Sequence, residues 1–297
     1  MNGWQPNVSV IVPVRDRAGV IGACLDSILA SDYPADRLEV VVTDNASSDG
    51  TADVLRSYGN RIRTVYEPKR GPAAARNAGL RAARGEVIAF TDSDCVVDRA
   101  WVAHAVAPLA NRTVGAVGGR ILALPAGNDV EHFGERIHDH ARAIHEFRPA
   151  YLITMNLAAR RDLLESLGGF DERLLRCEDV DLSYRIAQAG YRFEYAPGAL
   201  VYHRNRSTVA ELLAEGYAHG FHAVRLDRLQ GAYERAARRT AARSELVEVE
   251  PAYSRQLGRA RERYYWLLFR AAKRVGQVIG YLERVLPEGA PLSKRPT

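Results

Sequence analysis

Residues 87–95 read VIAFTDSDC. Val87, Ile88, Ala89 and Phe90 have the look of a short buried strand, because a brief apolar run bounded by turn residues is what such a strand requires. The run then meets Asp92 and Asp94, two carboxylates separated by Ser93. In extended chain, side chains two residues apart stand about 6.6 Å from each other on one face. That is close enough to share a divalent cation, or to give one carboxylate to a cation and the other to a ribose hydroxyl. Ser93 is then the spacer between them. An aspartate-rich turn or helix cap has the same local sequence, so the meaning of the pair depends on what surrounds it.

Outward from this stretch, β-branched runs alternate with helical ones. Strands are predicted at residues 8–14, 38–43, 63–66 and 87–91, with helices at 17–31, 51–58 and 73–84 between them. This is the pattern of βαβ units and a mostly parallel sheet flanked by helices. The strands end in polar residues: Arg15 and Asp16, Asp44 and Asn45, Asp92 and Asp94. Open parallel sheets bind ligands beyond the carboxyl ends of their strands, so these groups should meet at one crevice. Further on, the pattern predicts a strand at 114–124 broken at Gly118-Gly119, a strand at 151–159 and a helix at 161–167. A helix at 178–189 follows, then two strands, 191–195 and 200–203, around a Pro197-Gly198 turn. Beyond residue 205 the periodicity is helical only, and the polar stretch 235–250 is left unassigned.

Four more constellations carry chemistry. In TDNASSDGT (residues 43–51), Ser48 or Asp49 reads as a helix N-cap, whereas Asp44 stands at the strand end and can accept from a base imide N–H. In RGPAAARNAGL (residues 70–80), Gly71-Pro72 opens a helix whose free N–H groups favour phosphate. Arg76 in its first turn adds a cation or is simply a solvated arginine. Glu178, Asp179 and Asp181 crowd a helix start. The helix dipole lowers a carboxylate pKa there while mutual crowding raises one, and the sequence leaves both outcomes open. His203, at a strand end, is either a hydrogen-bonded boundary residue or a third metal ligand.

Composition sets the bounds: 297 residues, 47% hydrophobic and 26% charged, are enough for a full-sized core. No apolar run reaches the roughly 18 residues needed to span a bilayer, and residues 1–6 lack the features of a signal peptide, so a cytoplasmic location is expected. Cys24, Cys95 and Cys177 lack metal-ligand spacing, as expected of reduced thiols. The net charge of +5 is uneven: from residue 205 onward there are 17 Lys and Arg against 10 Asp and Glu. Nucleic acid is not an expected partner.

Taken in order, SVIVPVRDRA, VVTDNASSDGT, GPAAARNAGL, FTDSDC and GGFDERLLRCEDVDL resemble the family 2 glycosyltransferases of GT-A fold, over residues 8–204. The resemblance implies an α/β catalytic domain at 1–204, with a nucleotide-binding half at 1–100 and an acceptor-binding half at 101–204, and a basic helical region at 205–297. It implies inverting transfer from a nucleotide-diphosphate sugar, UDP-sugars favoured, with Mn2+ or Mg2+. By motif, Asp44 resembles the reader of the base, with Pro13, Val14 and Arg15 the wall beside it. Arg76 resembles a diphosphate-side residue. Asp92, Ser93 and Asp94 resemble the D-x-D segment, which implies Asp92 and Asp94 as metal ligands, Asp94 the more direct, and His203 as a further one. Asp179 resembles the general base. The Gln-x-x-Arg-Trp signature of processive synthases is absent, which fits transfer of one sugar per encounter to a glycan, lipid-linked or small-molecule acceptor. A sugar nucleotidyltransferase is the alternative within enzymes, although no Gly-rich basic loop follows the first strand. A non-catalytic sugar-nucleotide or glycan-binding protein is the alternative outside them.

In the tail, Leu257, Ala260, Tyr264, Leu268, Ala271, Val275, Val278 and Leu282 make a stripe at helical spacing among arginines. The stripe at 257–286 either packs on the catalytic domain or another subunit, or lies on the inner face of a membrane.

Overall fold

The computed structural model describes residues 4–124, 127–147, 149–240 and 253–285. The N-terminal half follows the predicted alternation. Strands β1 (Val8–Val14), β2 (Leu38–Asp44), β3 (Arg63–Tyr66) and β4 (Val87–Phe90) run parallel, and helices α1 (Ile21–Leu29), α2 (Thr51–Ser57) and α3 (Pro72–Ala82) connect them. They join β5 (Cys95–Val97), β6 (Val114–Ala123), β7 (Leu157–Arg160) and β8 (Arg192–His203) in one eight-stranded sheet of order β3-β2-β1-β4-β7-β6-β8-β5. Strand β7 pairs antiparallel with β4 and β6, and β5 antiparallel with β8, while β6 and β8 are parallel. The sheet is thus parallel through its N-terminal half and mixed beyond it.

Both faces are covered, and β1 shows why its sequence is apolar throughout. Val8, Val10, Val12 and Val14 pack with α1 residues Cys24, Leu25 and Ile28 on one side, while Ile11 packs with Ala73 and Leu80 of α3 on the other. Helix α3 is buried from Ala73 to Leu80. A Cβ on Gly79 would stand 2.5 Å from Ile11 Cγ2, so the bare glycine lets the helix lie close on β1. That approach brings Arg76, one turn earlier, down to the sheet edge.

The structure differs from the periodicity in four places, three of them in the second half. The segment around Gly118-Gly119 is not a break: β6 runs through it, because a Cβ on Gly119 would meet Ala199 O at 2.0 Å and these residues serve close strand packing. The expected pair of strands around Pro197-Gly198 is one strand, β8, with a register shift between Gly119 and Arg120 of its partner β6. The Asn156 amide spans that shift, donating to Arg120 O and Ala199 O while accepting from Trp101 Nε1. The strand expected at 151–159 is confined to β7, preceded by a 3-10 turn at Thr154–Asn156. Helix α2 begins after Gly50, with Asp49 accepting from the Thr51 N–H one residue further out than a cap.

Helices α4 (Trp101–Val106), α5 (Asp129–Ile137) and α6 (His140–His145) were not anticipated. Helix α5 starts with a capping box between Asn128 and Glu131. Helices α7 (Arg161–Ser166) and α8 (Glu178–Gln188) match expectation, with Gly168 and Gly190 at positive φ after them. Two long helices follow, α9 (Val209–Thr240) and α10 (Arg259–Val285). The unassigned stretch 235–250 is helical to Thr240, and the remainder, like residue 286 of the stripe, lies outside the described residues. The two helices approach backbone to backbone: Cβ atoms on Gly220 and Gly276 would fall 1.9 Å from Lys273 O and 2.1 Å from Tyr217 O. Phe133 of α5, Leu212 of α9 and Phe269 of α10 form a small core of their own.

Candidate active site

The parallel register sets Val14 beside Asp44 and Ile11 beside Phe90, so the carboxyl ends of β2, β1 and β4 stand side by side. Asp44 is buried, and its Oδ1 accepts the Ser47 N–H at 3.0 Å. Asn45 ties the next loop down, donating to Glu67 O and Lys69 O and accepting from the Gly71 N–H. Asp16, at φ 51°, accepts from the backbone and hydroxyl of Ser48, and the donation from the Ser48 N–H holds its carboxyl below the usual range. The β1 and β2 loops are therefore laced into one wall containing Pro13 and Val14, with Arg15 half-exposed at its rim.

The D-x-D segment is not extended. The Cys95 N–H donates to Asp92 O at 3.1 Å, closing a turn that sends the two carboxylates to different partners. Asp92 Oδ1 accepts from Arg76 NH2 at 2.8 Å, and Arg76 NH1 donates to Glu178 Oε1 at 2.6 Å. Arg76 is 4% exposed, so its guanidinium is a buried bridge between the end of β4 and the start of α8. Both arms of its fork are engaged by carboxylates. Arg76, expected on the donor side near the diphosphate, is thus held at the end of β4 by these two acids. Ser93 is buried between Asp92 and Asp94.

Asp94 is placed by the sheet. Strand β5 pairs Cys95 with His203 of β8, and Asp94 Oδ1 lies 3.6 Å from His203 Nε2. His203 Nδ1 is 2.7 Å from Asn205 Oδ1, and Asn205 Nδ2 donates to Glu131 O at 2.8 Å. The amide orientation of Asn205 is thereby fixed, so its oxygen accepts the Nδ1–H and leaves the Nε2 lone pair pointing to Asp94. Burial also lowers the His203 pKa and favours the neutral ring. This nitrogen and oxygen donor set suits Mn2+ or Mg2+. Adjacent ligands of an octahedral cation at about 2.1 Å stand about 3.0 Å apart, so the pair at 3.6 Å would draw together slightly on binding one. Among the described residues no three of His, Cys, Asp and Glu converge as a metal cage. Behind His203 the His138 ring stacks edge-on at 5.2 Å, and His138 Nε2 faces Glu215 of α9 at 3.6 Å.

The three acids at the start of α8 separate into different roles. Cys177 precedes them in the left-handed region at φ 65° and turns the chain into the helix. Glu178 is bound to Arg76 and Asp181 to Arg185 at 2.7 Å. Asp179, between them, has no ion pair within 4.0 Å among the described residues, and its Oδ1 accepts from the Val180 N–H. Removal from water, reinforced by the neighbouring Glu178 charge, pushes the Asp179 pKa up to about 7, although Arg76 opposes the shift. Asn205 and Glu215 escaped the sequence reading, and Glu178, named there in an acidic cluster, was given no role of its own. Of these only Glu178, inside the quoted motif, carried a local signal.

Because breaking a buried ion pair strands a charge, Arg76→Ala should lose about 3–5 kcal/mol of stability, measured by urea denaturation. Arg76→Lys, which cannot reach both carboxylates with a planar fork, should recover only part of it.

The glycosyl transferase family 2 profile matches residues 9–168. The chain is 30% identical over 225 residues to the glycosyltransferase AglE of Haloferax volcanii, a match covering 74% of each protein. It is 30% identical over 223 residues to the pre-mycofactocin glycosyltransferase of Mycobacterium tuberculosis, covering 72% of this chain but only 46% of that protein. Among solved structures, the mannosyltransferase PcManGT of Pyrobaculum calidifontis, in complex with GDP-Man and Mn2+, superposes with a TM-score of 0.60 and 26% identity, over 97% of this chain and 77% of that one. TarS of S. aureus in complex with UDP-GlcNAc shares the fold with a TM-score of 0.56 and 21% identity, over 72% of this chain and 66% of that one. The family profile over residues 9–168 and the 30% identity to a glycosyltransferase over 74% of the chain show that the chain belongs to the family 2 glycosyltransferases.

Proposed function

We propose that this glycosyltransferase moves one sugar from a nucleoside-diphosphate sugar to an acceptor hydroxyl with inversion, Asp179 serving as the general base. The observation that carries the reading is the separation of the acids: Arg76 and Arg185 engage Glu178 and Asp181, leaving the intervening Asp179 without a paired cation and with a raised pKa. A carboxylate near neutrality is matched to accepting a proton from a hydroxyl as that oxygen attacks. The new bond forms at the anomeric carbon, the bond to the diphosphate breaks on the opposite face, and the hydroxyl proton goes to Asp179.

On the donor side, Asp94 and His203 would hold Mn2+ or Mg2+, with Asp92 turned to Arg76 beside them. When bound, the cation supplies neutralisation of the charge that grows on the departing diphosphate. Asp44 would read the base. Its Oδ1 already takes the Ser47 N–H, so its second oxygen suits the single imide N–H of uracil better than the paired donors of guanine. That favours a UDP-sugar, with Pro13, Val14 and Arg15 beside the ring. The donor half is assigned to residues 1–100 and the acceptor half to 101–204, with 205–297 as a C-terminal region that includes α9 and α10. Membership of a glycosyltransferase family leaves no role for the nucleotidyltransferase or non-catalytic readings.

A panel of UDP- and GDP-sugars with and without Mn2+, followed by release of nucleoside diphosphate, tests the reading, which fails if no donor is turned over. Asp179→Asn should lower kcat by about 10²–10⁴-fold while UDP still binds by calorimetry. The base acts deprotonated and its pKa is raised, so kcat/KM should fall as pH drops through about 7. A fall delayed to the ordinary carboxylate range near pH 4 would contradict the assignment. Asn205→Ala, which frees the His203 ring, should weaken Mn2+ binding by about 10–100-fold, read by electron paramagnetic resonance.

A further inference from the structure

We propose that the outward face of α10 docks on the surface of an anionic lipid bilayer. The helix binds the rest of the molecule with its other side. Phe269 is buried against α5 and α9, Gly276 and Gly280 lie on the backbone of α9, and Glu262 pairs with the buried Arg136 at 3.3 Å. The opposite side carries Tyr264, Leu267, Val275, Val278 and Leu282, exposed to 52, 68, 56, 55 and 44%. At about 100° per residue these five fall within one sector of the helix, and from Tyr264 to Leu282 they extend for about 27 Å. Of the stripe, Leu257 packs in the small core with Phe133 and Phe269, whereas Tyr264, Val275, Val278 and Leu282 face outward.

Charge identifies the occupant. Arg259, Arg263, Arg270 and Arg274 are exposed and run along one edge of the apolar sector, with Arg270 also lying over Trp266 at 5.4 Å. The described carboxylates of α10, Glu262 and Glu283, lie at least about 100° round the helix from the stripe's centre. An apolar sector edged by arginines, on a helix bound to a folded body, has the form of a segment that lies in the interface and meets anionic headgroups. Among the described residues no helix is long and apolar enough to cross a membrane, so the contact would be peripheral. A second copy is a poorer occupant, because pairing this face antiparallel across a two-fold axis would bring two arginine rows together.

The full chain is sedimented with vesicles of phosphatidylcholine alone and of phosphatidylcholine with phosphatidylglycerol, at low and high salt. It should pellet with the anionic vesicles at low salt and be released as salt rises. Leu267→Glu with Val275→Glu, at positions that touch little in the folded chain, should reduce the bound fraction about tenfold with the circular dichroism spectrum and melting temperature unchanged. Failure to bind anionic vesicles at low salt overturns the proposal, as does unaltered binding by the double variant. A dimer in sedimentation velocity that the double variant splits, without vesicle binding, assigns the face to self-association instead. None of these readouts depends on catalysis, so they stand or fall apart from the assignment of Asp179.

Discussion

The site depends on one buried cation. Arg76 sits on a helix that is itself buried and joins Asp92 to Glu178, residues separated by 16 and 102 positions from it in the chain. A guanidinium in that setting is tolerated only with its charge compensated and its donors directed, which two carboxylates at 2.8 and 2.6 Å accomplish. The consequence reaches both sides of the crevice. The end of β4 and the first turn of α8 come from different halves of the chain, and this ion triad fixes the angle between them. An apolar replacement of similar volume can match the stability of a buried ion triad, but here it would leave the strand and helix ends without a common reference.

The same economy separates acids of like type. Three carboxylates within four residues would ordinarily repel one another and share their titration. Here arginines take the outer two, and in the middle one dehydration outweighs the opposing pull of Arg76. On the opposite side a histidine is held neutral by burial and by an amide whose direction is set two bonds further out. In both places the residue that matters is tuned by neighbours with no chemistry of their own.

Much of this was legible in the chain. β1, β2 and β4 are marked by runs such as VSVIVPV whose two faces are both apolar, and the polar residues after them announce a crevice because open parallel sheets bind ligands there. What the sequence obscured has identifiable causes. Pro197-Gly198 carries a strong turn signal, yet β8 continues through it because β6 and the Asn156 amide absorb the irregularity. Arg76 reads as a solvated or phosphate-facing residue because its partners are distant in sequence. Asn205 lies two residues beyond a strand, and nothing local says that its amide orients a histidine. Helix α5 did leave a mark, the Asn128-x-x-Glu131 box, but its short apolar pattern is interrupted by charged residues such as Glu135 and Arg136 that tertiary contacts bury.

Cys95 is the residue of the opening motif whose chemistry looked idle. It is buried and begins β5, and its pairing with His203 sets Asp94 against the imidazole. Strand faces alternate with every residue, so a shift of β5 by one position would exchange the inward Cys95 for a carboxylate and turn Asp94 into the core. A charged side chain there is strongly unfavourable, whereas a small sulfur side chain fits. The silent cysteine thus works as a proofreading mark: a chain that assembles this sheet edge out of step buries a charge and is rejected by its own core before it can present a defective site.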